Sequence, residues 1–350
     1  MDKILIVNLG GIGDLVLSAP ALVSLRARYP RAQIDLLTAK KNIGIVGRWS
    51  VVDNEYGIDF SFGGRVTFSA FFRAVGLLWR LRCVKYDALV NMRTLYSASG
   101  AKKIRTLCRF VAAKKTFGRN TEGLGAFFDE SIFETRVGLM HESSYDAETV
   151  ALLGARTTEL FSFPVPPQAE RAAAAFCGEH GLQDGHFLLW HVGGMPSRRY
   201  PAELVVAALK KLDPSLGVVL TAGAPERNVT AEICAQVPSV IDAAGVFGID
   251  ALAAMMKRAG AVISNDTGPM HVAAVLGVPL IALLGPGDLR RFDPRFIEPA
   301  ATVLRGDVRC APCEHEFCAK KLCLKVIEPA AVAGAVKKIF DMTDGGREAC

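Results

Sequence analysis

The sequence alternates short apolar runs with helical segments along nearly its whole length. Lys3–Asn8, His186–Val192 and Ala261–Ser264 are among the predicted strands, and each is followed by a turn and a helical pattern. Strands that alternate with helices pair in parallel, because a parallel neighbour requires a long crossover connection. A chain of 350 residues also exceeds what one hydrophobic core usually serves. The pattern therefore predicts an α/β protein with two domains built on parallel sheets.

A proline-rich run, Phe163–Gln168, marks the predicted domain boundary because it is stiff and exposed in character. Within the first half, Gly13–Tyr29 predicts a helix with Pro20 as a kink or break, and Gly118–Gly125 is a polar, glycine-containing stretch. Two halves of this kind usually bind ligand at the carboxyl ends of their strands. We predict four segments: an N-terminal domain at 1–163, a linker at 164–168, a C-terminal domain at 169–327, and a C-terminal helix and tail at 328–350.

The turn after the strand Ala261–Ser264 has the features of an anion site. Asp266 and Thr267 are residues that cap helices, and Gly268 allows the backbone to approach a ligand closely. Pro269 suits the first helical position, and His271 lies one turn further along. Such a turn presents backbone N–H groups and the positive end of a helix dipole. An ordinary, well-capped helix is the competing interpretation.

The first strand-to-helix turn, Asn8–Asp14, resembles a dinucleotide fingerprint only in part. Gly11 and Gly13 are present, but Val16 stands in the helix where a further glycine would be expected. Asp14 is the notable residue, because it places a carboxylate at a helix start beside the expected ligand cleft. A helix cap and a catalytic group are both open interpretations of Asp14.

The second half opens with a loop suited to phosphate. Gly193 and Gly194 free the backbone for close approach, while Arg198 and Arg199 supply fixed positive charge. Two solvated arginines on a surface loop are the alternative. Glu226 follows the next strand and opens a helix, so it suits either the ribose hydroxyls of a nucleotide or a favourable contact with the helix dipole.

The cysteines and the termini constrain the compartment and the metal content. Nine cysteines, an apolar N-terminal run without a cleavage site and no apolar run long enough to span a bilayer lead us to expect a cytoplasmic protein with reduced thiols. Four cysteines near the C-terminus permit either a four-thiolate zinc site or structural thiols: Cys310, Cys313, Cys318 and Cys323.

A basic stretch dominates the first half. Residues 65–119 contain 13 lysines and arginines and a single acidic residue, Asp87. Aromatic residues are interleaved with these charges: Phe68, Phe71, Phe72, Trp79, Tyr86, Tyr96, Phe110 and Phe117. The stretch fits an acidic membrane surface, a phosphorylated substrate, a nucleic acid, or simply a solvated basic face. Because no other feature favours nucleic acid, we expect no nucleic-acid partner.

Taken together, these motifs resemble glycosyltransferase family nine, the ADP-heptose:lipopolysaccharide heptosyltransferases. The resemblance covers most of the chain, and its elements follow the family's order. Arg198 stands where the family usually has lysine, and Tyr200 where it usually has tryptophan. The elements are Gly13-Asp14 with Pro20, Arg198-Arg199-Tyr200-Pro201, Gly223-Ala224-Pro225 with Glu226, Asp266-Thr267-Gly268 with His271, and the cysteine-rich segment before the last helix.

The resemblance implies a GT-B fold, in which two Rossmann-like domains with parallel sheets face each other across a cleft. It implies that Asp14 is the general base, with Gly11 and Gly13 on the acceptor side. Arg198 would contact the donor phosphates, and Glu226 would lie near the ribose. The remaining donor-binding residues would be Gly193, Gly194, Asp266, Thr267, Gly268 and His271.

The function implied is inverting, metal-independent transfer of a sugar, with heptose from ADP-heptose as the expected donor, onto a lipopolysaccharide core or similar surface glycan. No cofactor is expected, because a helix N-terminus and Arg198 can stabilise the departing diphosphate and no acidic pair typical of a metal site is evident. The basic stretch would meet a phosphorylated glycolipid acceptor at the inner-membrane surface, with the protein peripheral there. The alternatives are a nucleotide-sugar epimerase or hydrolase on the same fold and a non-catalytic nucleotide-sugar-binding protein.

Overall fold

The computed structural model describes residues 1–58, 68–156, 161–313 and 315–345. The chain divides into two compact units, Met1–Phe161 and Ser162–Cys350. The division falls a few residues before the proposed linker at 164–168, and a helix of the second unit begins at Pro167. The end of the proposed tail, 346–350, lies outside the described residues.

The first unit is built around a six-stranded parallel sheet with the strand order β3-β2-β1-β4-β5-β6. Its strands are β1 Lys3–Asn8, β2 Gln33–Ala39, β3 Asn54–Ile58, β4 Ala88–Asn91, β5 Lys115–Thr121 and β6 Glu130–Glu134. Its helices are α1 Ile12–Arg28, α2 Phe68–Val84, α3 Ala98–Val111 and α4 Glu142–Ala151.

The second unit has a second six-stranded parallel sheet with the order β12-β11-β10-β7-β8-β9. Its strands are β7 Phe187–His191, β8 Gly217–Thr221, β9 Ile241–Asp242, β10 Ala261–Asn265, β11 Leu280–Leu284 and β12 Thr302–Arg305. Its helices are α5 Pro167–Glu179, α6 Ala202–Leu209, α7 Arg227–Gln236, α8 Ile249–Arg258, α9 Gly268–Leu276, α10 Leu289–Phe292, α11 Leu322–Lys325 and α12 Pro329–Gly345.

Both sheets have the strand order of a dinucleotide-binding Rossmann domain, so the predicted α/β class with two Rossmann-like domains is confirmed. All strands are parallel, but successive strands are added to one side of β1 and then, from β4 onward, to its other side. The same change of side occurs between β7 and β10 in the second unit. In open parallel sheets, ligands bind outside the carboxyl ends of the strands at this switch point. The loops that follow these four strands are therefore where ligand sites are expected.

The central strands explain why the sheets form where they do. Ile4–Val7 of β1 and Phe187–Trp190 of β7 are completely buried, as expected for parallel strands that helices cover on both faces. In each strand the last residue is polar, Asn8 in β1 and His191 in β7, and both are also buried. The change from apolar to polar side chains thus coincides with the edge where a ligand site is expected.

Two local predictions need correction. Helix α1 continues from Ile12 to Arg28 with Pro20 inside it, so Pro20 does not break the helix. Strand β5 runs into the polar stretch Gly118–Gly125 and ends at Thr121. That strand is buried despite its polarity, because the guanidinium of Arg119 is paired with carboxylates inside the unit.

Candidate active site

The carboxylate of Asp14 is held in the first turn of α1, at the switch point of the first sheet. Gly11 is the N-terminal capping residue of α1, and its N–H donates to Asp14 Oδ2 over 2.7 Å. Such a contact satisfies a helix-start donor and places negative charge at the positive end of the helix dipole. Gly13 is buried in the same turn. The side chain of Asp14 is therefore fixed by the backbone that precedes it.

Arg93 is the second side chain at this point, and sequence analysis did not identify it. Its Nη1 donates to Asp14 Oδ1 and lies 3.8 Å from Glu142 Oε1. Burial disfavours the charge of Arg93, but the carboxylates of Asp14 and Glu142 outweigh burial and raise the pKa of the guanidinium. Asn91 at the end of β4 donates to the Arg93 carbonyl over 2.6 Å, which fixes the loop.

A buried network of hydrogen bonds and ion pairs connects to the pair Asp14 and Arg93. Arg119 donates to Glu142 Oε1 over 2.6 Å and to Asp146. Ser18 of α1 donates to Asp146 Oδ2 over 2.6 Å and also lies 2.8 Å from the carbonyl of Asp14. The network thus ties the first turn of α1 to strand β5 and helix α4. Because buried polar groups are costly unless paired, it favours a single arrangement of these elements.

Asp146 is a buried carboxyl group of this network with a raised pKa. Burial raises its pKa to about 7, although Arg119 and Ser18 both favour the charged form. Glu142 lies nearby and adds a repulsive charge. The upward direction of the shift follows chiefly from burial, which outweighs the favourable charge of Arg119.

Gly10 leaves the space that Asp14 occupies. A Cβ at position 10 would lie 2.3 Å from Asp14 Oδ2 and 2.6 Å from its Cγ. If Asp14 is the general base that the family resemblance implies, Gly10→Ala should displace its carboxylate and lower the kcat of the transfer reaction by about 10²-fold, because small misplacements of a reacting group are costly. Gly178→Ala is the control, since a Cβ there has nothing within 4 Å. Equal kcat values for the two variants, with both shown to be folded by circular dichroism, would contradict the role of Asp14 as the general base.

In the second unit, three neighbouring strands bring the predicted donor residues together. Arg198 follows β7, Asp266 follows β10, and Arg198 Nη1 lies 3.0 Å from Asp266 Oδ2. Asp266 is buried and Arg198 is about one quarter exposed. A guanidinium has five N–H donors, so a single carboxylate contact orients it and leaves others for a ligand. Asp266 is thereby positioned to orient Arg198.

Arg199 forms the second ion pair of this loop. Its Nη2 lies 3.3 Å from Glu226 Oε1, and its Nε donates to the carbonyl of Gly194. Glu226, expected near a ribose, is therefore engaged by Arg199 through one of its oxygens. Both arginines of the loop are held in place by acids from the neighbouring strand ends.

The two loop glycines are required by close packing. Gly194 has φ +127°, and a Cβ there would lie 2.4 Å from Thr267 Cγ2. The carbonyl of Gly193 accepts a hydrogen bond from Asn265 Nδ2 over 3.0 Å, and Asn265 Oδ1 accepts from the N–H of Tyr200 over 3.1 Å. Asn265 thus joins the loop after β7 to the end of β10.

The helix after this turn begins at Gly268, one residue before Pro269, the predicted first helical position. Thr267 is the N-terminal capping residue of α9, Gly268 is its first residue and His271 is its fourth. His271 is buried, and its ring centroid lies 6.1 Å from that of Phe292. A further glycine shapes the turn: a Cβ at Gly287, after β11, would lie 2.0 Å from Asp266 Oδ2.

His191 is a buried neutral side chain at the end of β7. Burial lowers its pKa to about 4, and its Nδ1 lies 3.1 Å from Thr221 Oγ1. A ring that stays uncharged does not add to the positive charge of the arginine loop. Arg198 and Arg199, in contrast, carry fixed positive charge at this edge.

The cysteine-rich segment packs against the arginine loop. The N–H of Ser197 donates to the Glu316 carbonyl over 3.1 Å, and Lys321 Nζ lies 3.4 Å from the Arg199 carbonyl. The cysteines of the segment are free thiols: Cys310, Cys313, Cys318 and Cys323. Across the described part of the chain, no three histidine, cysteine, aspartate or glutamate side chains are grouped so that they could hold a metal ion. A zinc site at these cysteines stays a prediction.

The chain is similar to known sugar transferases. A family model described as glycosyltransferase family 9 (heptosyltransferase) matches residues 76–324. Lipopolysaccharide heptosyltransferase 3 of Escherichia coli is 24% identical over 345 residues, covering 95% of this chain and 98% of that protein. A family 9 glycosyl transferase structure from Veillonella parvula has a TM-score of 0.76 at 21% identity, covering 97% of this chain and 98% of that one.

A second solved structure agrees. The E. coli ADP-heptose lps heptosyltransferase II has a TM-score of 0.72 at 21% identity, covering 98% of this chain and 99% of that one. At this identity the likeness establishes the fold, and the fold is the GT-B fold of these heptosyltransferases. The expectation of a GT-B fold is therefore confirmed.

Proposed function

Because the chain belongs to glycosyltransferase family 9, the heptosyltransferase family, we propose that it transfers heptose from ADP-heptose to a lipopolysaccharide core. The transfer inverts the configuration at the sugar carbon and needs no metal ion. The proposal rests chiefly on one observation: two oriented arginines, Arg198 and Arg199, lie at the switch point of the second sheet beside the N-terminus of α9. The similar E. coli proteins carry lipopolysaccharide, heptose and ADP-heptose in their names.

The donor diphosphate is proposed to bind at the arginine loop. Asp266 orients the guanidinium of Arg198, and Gly194 brings the backbone of that loop close to Thr267. Arginine binds phosphate through two parallel hydrogen bonds, and a helix N-terminus attracts an anion. The residues proposed to line the donor site are Gly193, Gly194, Arg198, Glu226, Asp266, Thr267, Gly268 and His271.

Breaking the bond between the sugar and the diphosphate leaves negative charge on ADP. Fixed positive groups that stabilise this charge as it develops lower the barrier more than groups that bind the substrate equally well before the reaction. Arg198 and the first turn of α9 supply such groups. In this proposal they do the work that a divalent cation performs in other nucleotide-sugar transferases.

Asp14 is proposed to be the general base, with Gly11 and Gly13 on the acceptor side. Its carboxylate takes the proton of the attacking hydroxyl while the hydroxyl oxygen forms a bond to the anomeric carbon and ADP departs. Arg93 and the N–H of Gly11 hold the two carboxylate oxygens in place. Each oxygen has a second lone pair for the incoming hydroxyl. One displacement on the face opposite ADP gives inversion.

The acceptor is proposed to be a phosphorylated glycolipid at the inner-membrane surface, which the protein would reach from the cytoplasm as a peripheral protein. The basic stretch that begins near residue 65 supports this proposal, because positive charge attracts both phosphate and anionic lipid. None of the helices in the described ranges combines the length and apolar character needed to cross a bilayer.

A thermal-shift series with ADP-, GDP-, UDP- and dTDP-sugars tests the donor, followed by a transfer assay with a lipopolysaccharide core acceptor. Mass action predicts stabilisation by ADP-heptose above the others. Turnover of ADP-heptose without acceptor would instead favour an epimerase or hydrolase. Binding without any turnover would favour a nucleotide-sugar-binding protein.

A further inference from the structure

Helix α2 has two apolar faces, and only one of them belongs to the core. Leu81 is completely buried, and Leu77, Leu78 and Val84 pack against the core of the first unit. On the opposite side, Trp79 is 62% exposed, Phe72 is 56% exposed and Val75 is 39% exposed. Positions 72, 75 and 79 are spaced by three and four residues, so they form one stripe along the helix. The outer stripe is therefore largely exposed, in contrast to the inner one.

Exposed positive charge accompanies the stripe. Arg73, Arg80 and Arg82 are exposed on the same helix, and α2 contains no acidic residue. The helix that packs against it, α3, is likewise basic and free of acidic residues. Its exposed basic residues are Lys102, Lys103, Arg105 and Arg109. Helices α2 and α3 together thus carry an exposed apolar stripe and seven exposed cations.

We propose that α2 is the element that docks the protein on an anionic lipid bilayer, with its outer stripe inserted at the level of the head groups. A helix with a large aromatic residue on its outer face and arginines beside it is suited to lie in the plane of the interface. Tryptophan prefers this level of the bilayer, and each cation is attracted to the anionic surface. This inference rests on the proposed function, because α2 would bring the protein to the membrane that contains the proposed glycolipid acceptor.

The chemistry of the stripe favours lipid over nucleic acid. A nucleic acid would explain the arginines and could stack a base on Trp79, but it would not explain the exposed Val75 in the same stripe. A lipid surface accounts for both the apolar stripe and the cations, because acyl chains contact the stripe and phosphate groups bind the cations. The two classes of partner therefore predict different effects when the apolar residues are replaced.

The tryptophans of the chain provide a direct probe. Trp79 is exposed, whereas Trp49 is 8% exposed and Trp190 is completely buried. We expect the emission of the wild-type protein to shift to shorter wavelength with vesicles of phosphatidylcholine and phosphatidylglycerol, because Trp79 leaves water. Trp79→Phe is expected to remove the shift. No shift on bound vesicles would overturn the proposal, as would equal, salt-insensitive binding to vesicles of phosphatidylcholine alone.

Sedimentation with the same vesicles measures binding itself. The double variant Val75→Ser and Trp79→Ser is expected to lower vesicle binding by roughly tenfold, because apolar burial in the interface is lost. Phe133→Ser is the matched control, since Phe133 is also exposed, at 64%, on the edge strand β6 of the same unit. Equal losses in both variants would overturn the assignment to α2. A blue shift that depends on protein concentration without vesicles would indicate a second copy as the partner and would also overturn it.

Transfer activity separates this inference from the proposed function. The α2 double variant is expected to transfer heptose to a water-soluble, deacylated core acceptor as fast as the wild type, and to lose activity only on acceptor in vesicles. Loss on both acceptors would overturn the docking role. Wild-type protein that binds vesicles through α2 but transfers no heptose would refute the proposed function and leave the docking surface standing.

Discussion

Asp14→Asn is expected to lower the rate of sugar transfer by about 10²- to 10⁴-fold, the range typical of a lost general base. Asparagine has nearly the same shape as aspartate but cannot take the proton of the acceptor hydroxyl. Because Asp14 lies in the first unit and the proposed donor residues lie in the second, the affinity for ADP-heptose should change little. Single-turnover kinetics and donor titration by calorimetry measure the two effects separately.

Asp53→Asn is the matched control for Asp14→Asn. Asp53 is an aspartate of the same unit that also pairs with an arginine, Arg26, over 2.6 Å, but it lies in a surface ion pair away from the switch point. We expect its replacement to leave the rate unchanged. Transfer by Asp14→Asn at the wild-type rate would remove Asp14 from the mechanism, and an equal loss in both variants would indicate a general effect on folding.

Arg198→Ala is expected to lower kcat/KM by about 10²- to 10³-fold, because the proposed donor site would lose a guanidinium that stabilises the charge developing on ADP. Arg198→Lys should recover part of this loss, since lysine keeps the charge but not the bidentate geometry. Arg290→Ala, at an exposed position on α10 of the same unit, is the control. Steady-state kinetics with ADP-heptose provide the measurement.

The contact between Arg198 and Asp266 adds a second test of the same site. If Asp266 acts by orienting Arg198, then Asp266→Asn should lower kcat/KM less than Arg198→Ala does. The double variant should be no worse than Arg198→Ala alone, because residues that act through one contact are not additive. Additive losses would mean that Asp266 contacts the substrate itself, and unchanged kinetics in Arg198→Ala would contradict the donor site.

Much of the proposed donor site in the second unit could be predicted from the sequence, because its residues follow strands directly. Asp266 comes immediately after β10, and Gly193 and Arg198 lie on the loop after β7. Each strand was visible as an apolar run, and parallel strands place their carboxyl ends along one edge. The sequence could not show that Asp266 and Glu226 hold the arginines, because those contacts join residues far apart in the chain.

Of the pair Asp14 and Arg93 in the first unit, only Asp14 could be identified from the sequence. Asp14 stands in a recognisable strand-to-helix turn, but Arg93 pairs with it across 79 residues, and no spacing rule connects them. The signal that could have identified Arg93 is its position just after β4, the neighbour of β1 at the switch point. Strand β5 was hidden for a related reason: its charged residue Arg119 is buried only because distant carboxylates neutralise it.

The most direct test of the central claim is one reaction analysed in two ways. The protein is treated with a chelator, supplied with ADP-heptose and a core acceptor, and the anomeric configuration of the product is assigned by nuclear magnetic resonance. The proposed mechanism predicts an undiminished rate and a configuration opposite to that of the donor. A product that keeps the donor's configuration, or a rate that falls on chelation and returns with a divalent cation, would contradict it.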